Sequence, residues 1–238
     1  MINESSKVNL ANTPRLIFTG LAIIAAFFLA YELNAQDAST DAENPQFKAG
    51  VHYEELQFPV RTNDKNKIEV AEFFSYACIH CYNFEPSIKS WLSKNQSNDI
   101  DFQRTPAIFN ETWKILAQAY YTAEALGVLD RTHQAIFDSI HQGKRQFANV
   151  ADLAVFFEEQ GVNRQEFEKM FNSYAIRTKV RQADARGRGY RANAVPTMIV
   201  NGRYRIDASQ AGGQSEMLEI VDFLVQKERA KRELAQTK

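Results

Sequence analysis

The sequence predicts an α/β protein: a domain of strands and helices, interrupted by a purely helical block and preceded by an N-terminal hydrophobic segment. Three observations carry this reading. An apolar run at 68–74, a helical pattern and a second strand-like run at 100–104 follow one another at the spacing of a parallel β-α-β unit. From about 111 to 186 the periodicity is helical only, and strand signals resume at Thr197, around Asn201-Gly202.

The 238 residues suit one compact unit, or a domain carrying a smaller inserted one. Hydrophobic residues make up 45% and charged residues 24%, the balance of a globular protein. A formal net charge of −1 leaves no footprint for nucleic acid or for an anionic membrane surface. The seventeen Phe and nine Tyr fall mostly within helical or strand patterns and are expected to fill the core.

Residues 16–31 contain no charge; Lys7 and Arg15 precede them, and Glu32, Asp37, Asp41 and Glu43 follow. This is the pattern of an export signal or a signal anchor, with the N-terminus kept in the cytoplasm. As a helix the run would be about 24 Å long. That is short for a ~30 Å hydrocarbon core, yet longer than the ~7–15-residue apolar region of a cleaved signal. No Ala-x-Ala site follows it, which favours an anchor. We assign 1–33 to a signal anchor or signal peptide, and 34–50, polar and containing Pro45 and Gly50, to a flexible linker.

Ile68-Glu69-Val70-Ala71-Glu72-Phe73-Phe74 reads as a buried strand. A helix is expected from about Cys78 to Lys94, with Pro86 kinking it, then a strand from Ile100 to Arg104, stopped by Pro106. Helical segments follow at 111–126, 130–142, 149–160 and 163–186, with Gly127, Gly143 and Gly161 suited to left-handed C-terminal caps. Asn149 and Asn163 are candidate N-caps, the latter with Glu166 three residues on. Thr197–Val200 and Arg203–Ile206 flank the Asn201-Gly202 hairpin signal, and a last helix spans about 214–234. The domain boundaries expected are therefore 51–110 with 187–238 for the discontinuous α/β domain, and 111–186 for the inserted helical domain.

The chemistry sits at Cys78 and Cys81, the only cysteines, in Phe73-Phe74-Ser75-Tyr76-Ala77-Cys78-Ile79-His80-Cys81. With no third cysteine, a disulfide framework is excluded; behind a targeting segment the pair reads as a redox dithiol. It can cycle between thiols and a disulfide through a mixed disulfide. A helix N-terminus favours a thiolate, so Cys78 is assigned as the exposed nucleophile and Cys81, about one turn further in, as the resolving thiol. His80, as imidazolium or as an N–H donor, would stabilise the Cys78 thiolate further. That favours the reduced form and makes the disulfide more oxidising, which points to a donor of disulfides rather than a reductase. The alternatives are two inert buried cysteines, or half of a zinc site. A zinc site needs about four ligands, and His52, His133 and His141 show no matching spacing.

Taken together, these residues resemble the DsbA-type thiol:disulfide oxidoreductases of the thioredoxin superfamily. The resemblance covers roughly residues 50–235. It rests on Glu72-Phe73-Phe74-Ser75, on Cys78-Ile79-His80-Cys81-Tyr82, on Val195-Pro196-Thr197 followed by Asn201-Gly202-Arg203-Tyr204, and on the position of the helical insertion. It implies a thioredoxin-like domain carrying that insertion, a depressed cysteine pKa and an oxidising potential. It implies that Cys78 and Cys81 are the redox pair and that His80 makes it oxidising. By the same resemblance, Pro196 is a cis-proline facing the cysteines, and the backbone of Val195 pairs with bound peptide. Glu72 is then a buried carboxylate near the resolving cysteine that accepts its proton. Two departures stand out: Ile79 occupies a position where the best-known members have proline, and Pro86 gives a helix kink more like that of thioredoxin.

The expected function is a periplasmic oxidase, possessing no cofactor and no metal, that donates the Cys78–Cys81 disulfide to reduced exported polypeptides. The resemblance implies reoxidation by a DsbB-type membrane protein linked to quinone. The protein is expected to be a monomer, tethered to the inner membrane by residues 16–31. The competing readings are a reductase or isomerase of the same superfamily, a metal-binding Cys-x-x-Cys module, and a redox-inactive peptide-binding chaperone that would tolerate loss of Cys78.

Overall fold

The computed structural model describes residues 46–237; the hydrophobic segment 16–31 and residues 34–45 of the linker lie outside that range. Among the described residues no helix is long and apolar enough to cross a membrane. A two-residue strand, Glu54–Glu55 (β1), precedes Ile68–Phe74 (β2), which is buried at every position. Its β-branched and aromatic residues suit a strand covered on both faces. Helix Ile79–Lys94 (α1) then leads to Ile100–Pro106 (β3), paired parallel with β2 from Ile68↔Ile100 to Phe74↔Pro106. This is the expected β-α-β unit. The strand does not stop before Pro106, because β3 is an edge strand and a ladder there tolerates the missing N–H.

Five helices occupy the chain between β3 and the next strand: Glu111–Ala125 (α2), Leu129–His141 (α3), Val150–Glu159 (α4), Arg164–Phe171 (α5) and Tyr174–Gly189 (α6). Asn149 and Asn163 cap α4 and α5 through their side-chain oxygens; each such cap contributes about 1 kcal/mol. The single helix expected over 163–186 is two. Asn172 Nδ2 donates to the Glu168 carbonyl and closes α5, and Ser173 Oγ accepts from Ile176 N to open α6. Gly127 and Gly161 take the left-handed conformation, but beyond α3 it is Lys144, not Gly143, that does so.

Thr197–Val200 (β4) and Tyr204–Asp207 (β5) form the expected hairpin, paired from Val200↔Tyr204 across a three-residue loop in which Asn201 and Gly202 take φ 51 and 60 and Arg203 N donates to Val200 O at 3.0 Å. Helix Ala208–Ala211 (α7) and the long Gln214–Gln236 (α8) complete the chain. The sheet order is β1-β5-β4-β2-β3, mixed, with only β2 and β3 parallel.

The pleat of β2 divides the core. Ile68 and Val70 pack with Phe84, Ile88 and Trp91 of α1 and with Met217, Ile220 and Leu224 of α8. On the opposite face Phe73 lies against α6, where a Cβ on Gly187 would stand 2.7 Å from its ring. Phe74, Tyr76 and Cys81 belong to the core built by α2 to α5, which includes Phe137, Phe156, Phe157 and Phe167. The segment carrying the cysteines is therefore held between sheet and helical block.

Candidate active site

Four residues turn β2 into α1. Cys78 N donates to Ser75 O at 3.0 Å, and Ala77 N donates to Ser75 Oγ at 3.2 Å, a serine turn closed by its own hydroxyl. Cys78 is the N-cap of α1, with extended φ −94 and ψ 117, and its carbonyl accepts from Tyr82 N at 3.1 Å. Helix α3 holds this turn from the other side. His133 Nδ1 and Tyr76 Oη lie 2.8 Å apart, and His141 Nε2 donates to the Tyr76 carbonyl at 2.9 Å. Gln214 at the start of α8 donates to the His80 carbonyl at 2.7 Å.

The two cysteines are unlike. Cys78 is half-buried and Cys81 fully buried. The Cys81 thiol donates to the Cys78 sulfur, and this outweighs partial burial. The backbone N–H groups of Cys81 and His80 and the charge of His80 add to it, and together they draw Cys78 down to about 6. Burial drives Cys81 the other way, far above an ordinary thiol, helped by its hydrogen bond to Cys78 and the nearby Glu72. Across the site the Val195–Pro196 bond is cis, and Val195 O lies 3.6 Å from Cys78 Sγ.

Beneath the sulfurs runs a buried chain of polar groups. The β2–β3 register sets Glu72 beside Arg104, and Arg104 Nε donates to Glu72 Oε2 at 3.0 Å. The same guanidinium reaches both oxygens of Glu85 at 3.1 and 3.0 Å. Glu85 Oε1 also accepts from His133 Nε2 at 3.0 Å. Burial raises Glu72 to about 8 against the pull of Arg104, with Glu85 adding to the rise. Burial raises Glu85 too, but His133 and Arg104 outweigh it and hold Glu85 below the usual carboxylate range. One cation thus serves two carboxylates, and near neutral pH the proton resides on Glu72. Among the described residues, Glu72 Oε1 is the one buried side-chain polar atom with no hydrogen-bond partner. An uncharged carboxyl oxygen bears that lack of a partner at lower cost than an anionic one.

All six residues singled out from sequence therefore converge: Cys78, Cys81, His80, Glu72, Val195 and Pro196. The His80 ring is exposed and makes no hydrogen bond to Cys78; it acts on that sulfur through its backbone N–H and its charge. Sequence reasoning missed Arg104, Glu85, Tyr76, His133 and His141. Glu85 could have been found, since it shares the apolar stripe of α1 with Cys81 and Ile88 at four- and three-residue spacing, where a carboxylate is out of place.

A helix-terminal Cys-x-x-Cys that faces a cis-proline at one end of a mixed sheet defines a dithiol protein of the thioredoxin fold. A family model described as a DSBA-like thioredoxin domain matches residues 95–221. The thiol:disulfide interchange protein DsbA of Pseudomonas aeruginosa is 37% identical over 215 residues, spanning 90% of this chain and 97% of the relative. That of Pseudomonas syringae pv. tomato is 40% identical over 208 residues, spanning 87% and 95%. The crystal structure of Pseudomonas aeruginosa DsbA superposes with a TM-score of 0.75 at 40% identity, covering 79% of this chain and 97% of that one. The chain belongs to the DsbA-like thioredoxin domain family.

Proposed function

We propose that this chain is a periplasmic thiol:disulfide oxidoreductase that donates its Cys78–Cys81 disulfide to reduced exported polypeptides. The observation that carries this is the opposite treatment of the two sulfurs: Cys78 is reachable and held near 6, while Cys81 is buried and strongly disfavoured as an anion. A client thiolate attacks Cys78 Sγ and breaks its bond to Cys81. Cys81 departs with the electron pair and takes the proton of Glu72, the nearby buried acid; burial leaves Glu72 protonated, so it donates in this direction, and the acceptor role that the resemblance implies belongs to reoxidation of the dithiol. A second client thiolate then attacks the client sulfur of the mixed disulfide, and Cys78 leaves as a stable thiolate. Two electrons pass from the client to the chain. One proton ends on Cys81, Glu72 recovers its own from water, and the client leaves oxidised.

His80 favours the Cys78 anion by charge and by its backbone N–H. The Val195 backbone, before Pro196 and beside Cys78 Sγ, offers an extended client main-chain pairing. We assign residues 51–110 and 187–238 to the thioredoxin-like domain and 111–186 to an inserted helical domain that braces the turn at Tyr76. Residues 16–31 would tether the protein to the inner membrane, near a DsbB-type quinone-linked partner that reoxidises it.

Mixing oxidised protein with a reduced, unfolded client tests this directly. The client is expected to lose two thiols while Cys78 and Cys81 gain them, read by alkylation and mass spectrometry. A client whose thiols remain, with the Cys78–Cys81 disulfide intact, would rule the function out.

A further inference from the structure

We infer that His133 is a positioning residue for disulfide exchange: seated between Tyr76 and Glu85, it decides which of the two carboxylates sharing Arg104 carries the proton, and keeps that proton on Glu72. This deepens the proposed function and rests on Glu72 as the proton donor to Cys81.

The buried cluster is nearly symmetric. Arg104 is a single buried cation between two fully buried carboxylates, Glu72 on β2 and Glu85 on α1. Two carboxylates on one guanidinium do not both ionise readily out of water, so one proton must sit on one of them. It is useful only on Glu72, whose charge acts on both Cys78 and Cys81. What breaks the symmetry comes from α3. His133 Nε2 gives Glu85 a third hydrogen bond, while Glu72 receives only one. A carboxylate is held ionised by the donors aimed at it.

The direction of the chain is fixed from its other end. Tyr76 Oη is 2.8 Å from His133 Nδ1, and the phenol donates there when the imidazole is neutral with its proton on Nε2. The groups facing His133 are Glu85 and Lys89 of α1, Arg104 of β3, Tyr120 of α2 and Tyr76 of the turn. Burial, together with Arg104 and Lys89, keeps the ring neutral against the pull of Glu85. The donors then run one way: Tyr76 to His133, His133 to Glu85, and Arg104 to both carboxylates. The open end is Glu72 Oε1.

The test is the pH profile of the rate at which oxidised protein accepts electrons from reduced glutathione. That rate rises as glutathione ionises and falls as Glu72 loses its proton. His133→Leu removes the donor to Glu85, lets Glu85 compete for the proton, and is expected to shift the falling limb down by about one pH unit, the equivalent of one charge-assisted hydrogen bond. His133→Gln keeps an N–H within reach of Glu85 and should bring the limb back towards wild type. If the leucine variant does not fold, His133→Asn, too short to reach Glu85, is expected to show the same displacement. A rate lowered equally at all pH values, with the limb unmoved, would make His133 a packing residue and overturn the inference. Glu72→Gln separates the two claims. A limb that survives in it removes Glu72 as proton donor and the inference with it. A limb lost in Glu72→Gln but unmoved in His133→Leu removes the inference alone.

Discussion

Replacing Cys81 by alanine asks whether one buried thiol, rather than the helix terminus, sets the acidity of Cys78. The leading influence on Cys78 is the hydrogen bond from Cys81, ahead of the backbone N–H groups and of His80. The fall from 9.0 to about 6 is roughly a thousandfold in ionisation. A hydrogen bond to a charged group contributes about 1.5–3 kcal/mol, and one pH unit corresponds to about 1.4 kcal/mol. Because the Cys78 sulfur is half-exposed, solvent screening places the effect at the lower end, about one pH unit. Cys81→Ala should therefore titrate near ~7, while Cys81→Ser, which keeps a hydroxyl donor, should stay within ~0.5 of wild type. Thiolate absorbance against pH reads both. An alanine variant still titrating at about 6 would refute the reasoning and return the effect to the helix terminus and His80.

Three further outcomes follow from the same geometry. Cys81→Ser should accumulate mixed disulfides with clients through Cys78, whereas Cys78→Ser should not; equal adducts in a non-reducing gel would overturn the assignment of the nucleophile. Glu72 is raised from 4.5 to about 8 in the folded protein, so its contribution to stability is intact below 4.5 and is lost as pH rises through about 8. Glu72→Gln should be neutral near pH 4 and stabilising by about 1–3 kcal/mol at pH 7 in urea denaturation; a gain independent of pH would contradict this. Gly202→Ala should cost at least ~2 kcal/mol, because φ is +60 and the new Cβ would lie 1.9 Å from Val60 O; a midpoint unchanged within ~0.5 kcal/mol would show that the Val60 segment yields freely.

The elements of the sheet were the most legible. Hydrophobic pattern alone located β2 residue for residue, and Asn201-Gly202 located the hairpin, because burial on both faces and positive φ each impose a strong local preference on sequence. The dithiol was legible because two lone cysteines at one-turn spacing have few other uses. What escaped were features decided by distant contacts. The two residues of β1 pair with β5 some 150 positions away, and nothing local marks them. The break in the helical block at Asn172-Ser173 depends on side-chain hydrogen bonds that also occur within helices. Arg104 reads as an ordinary strand residue until the parallel register sets it beside Glu72. His133 was considered only as a metal ligand, whereas its partners, Tyr76 and Glu85, lie 57 and 48 residues away in sequence.

The central claim is that a stabilised Cys78 thiolate makes this a donor of disulfides. The thiol–disulfide equilibrium of Cys78–Cys81 against glutathione, with the products resolved by mass spectrometry, tests it most directly. The expected result is a reduced dithiol favoured over a wide range of glutathione ratios, with a potential above about −200 mV. A potential at or below the ~−270 mV of thioredoxin would contradict it and describe a reductase instead.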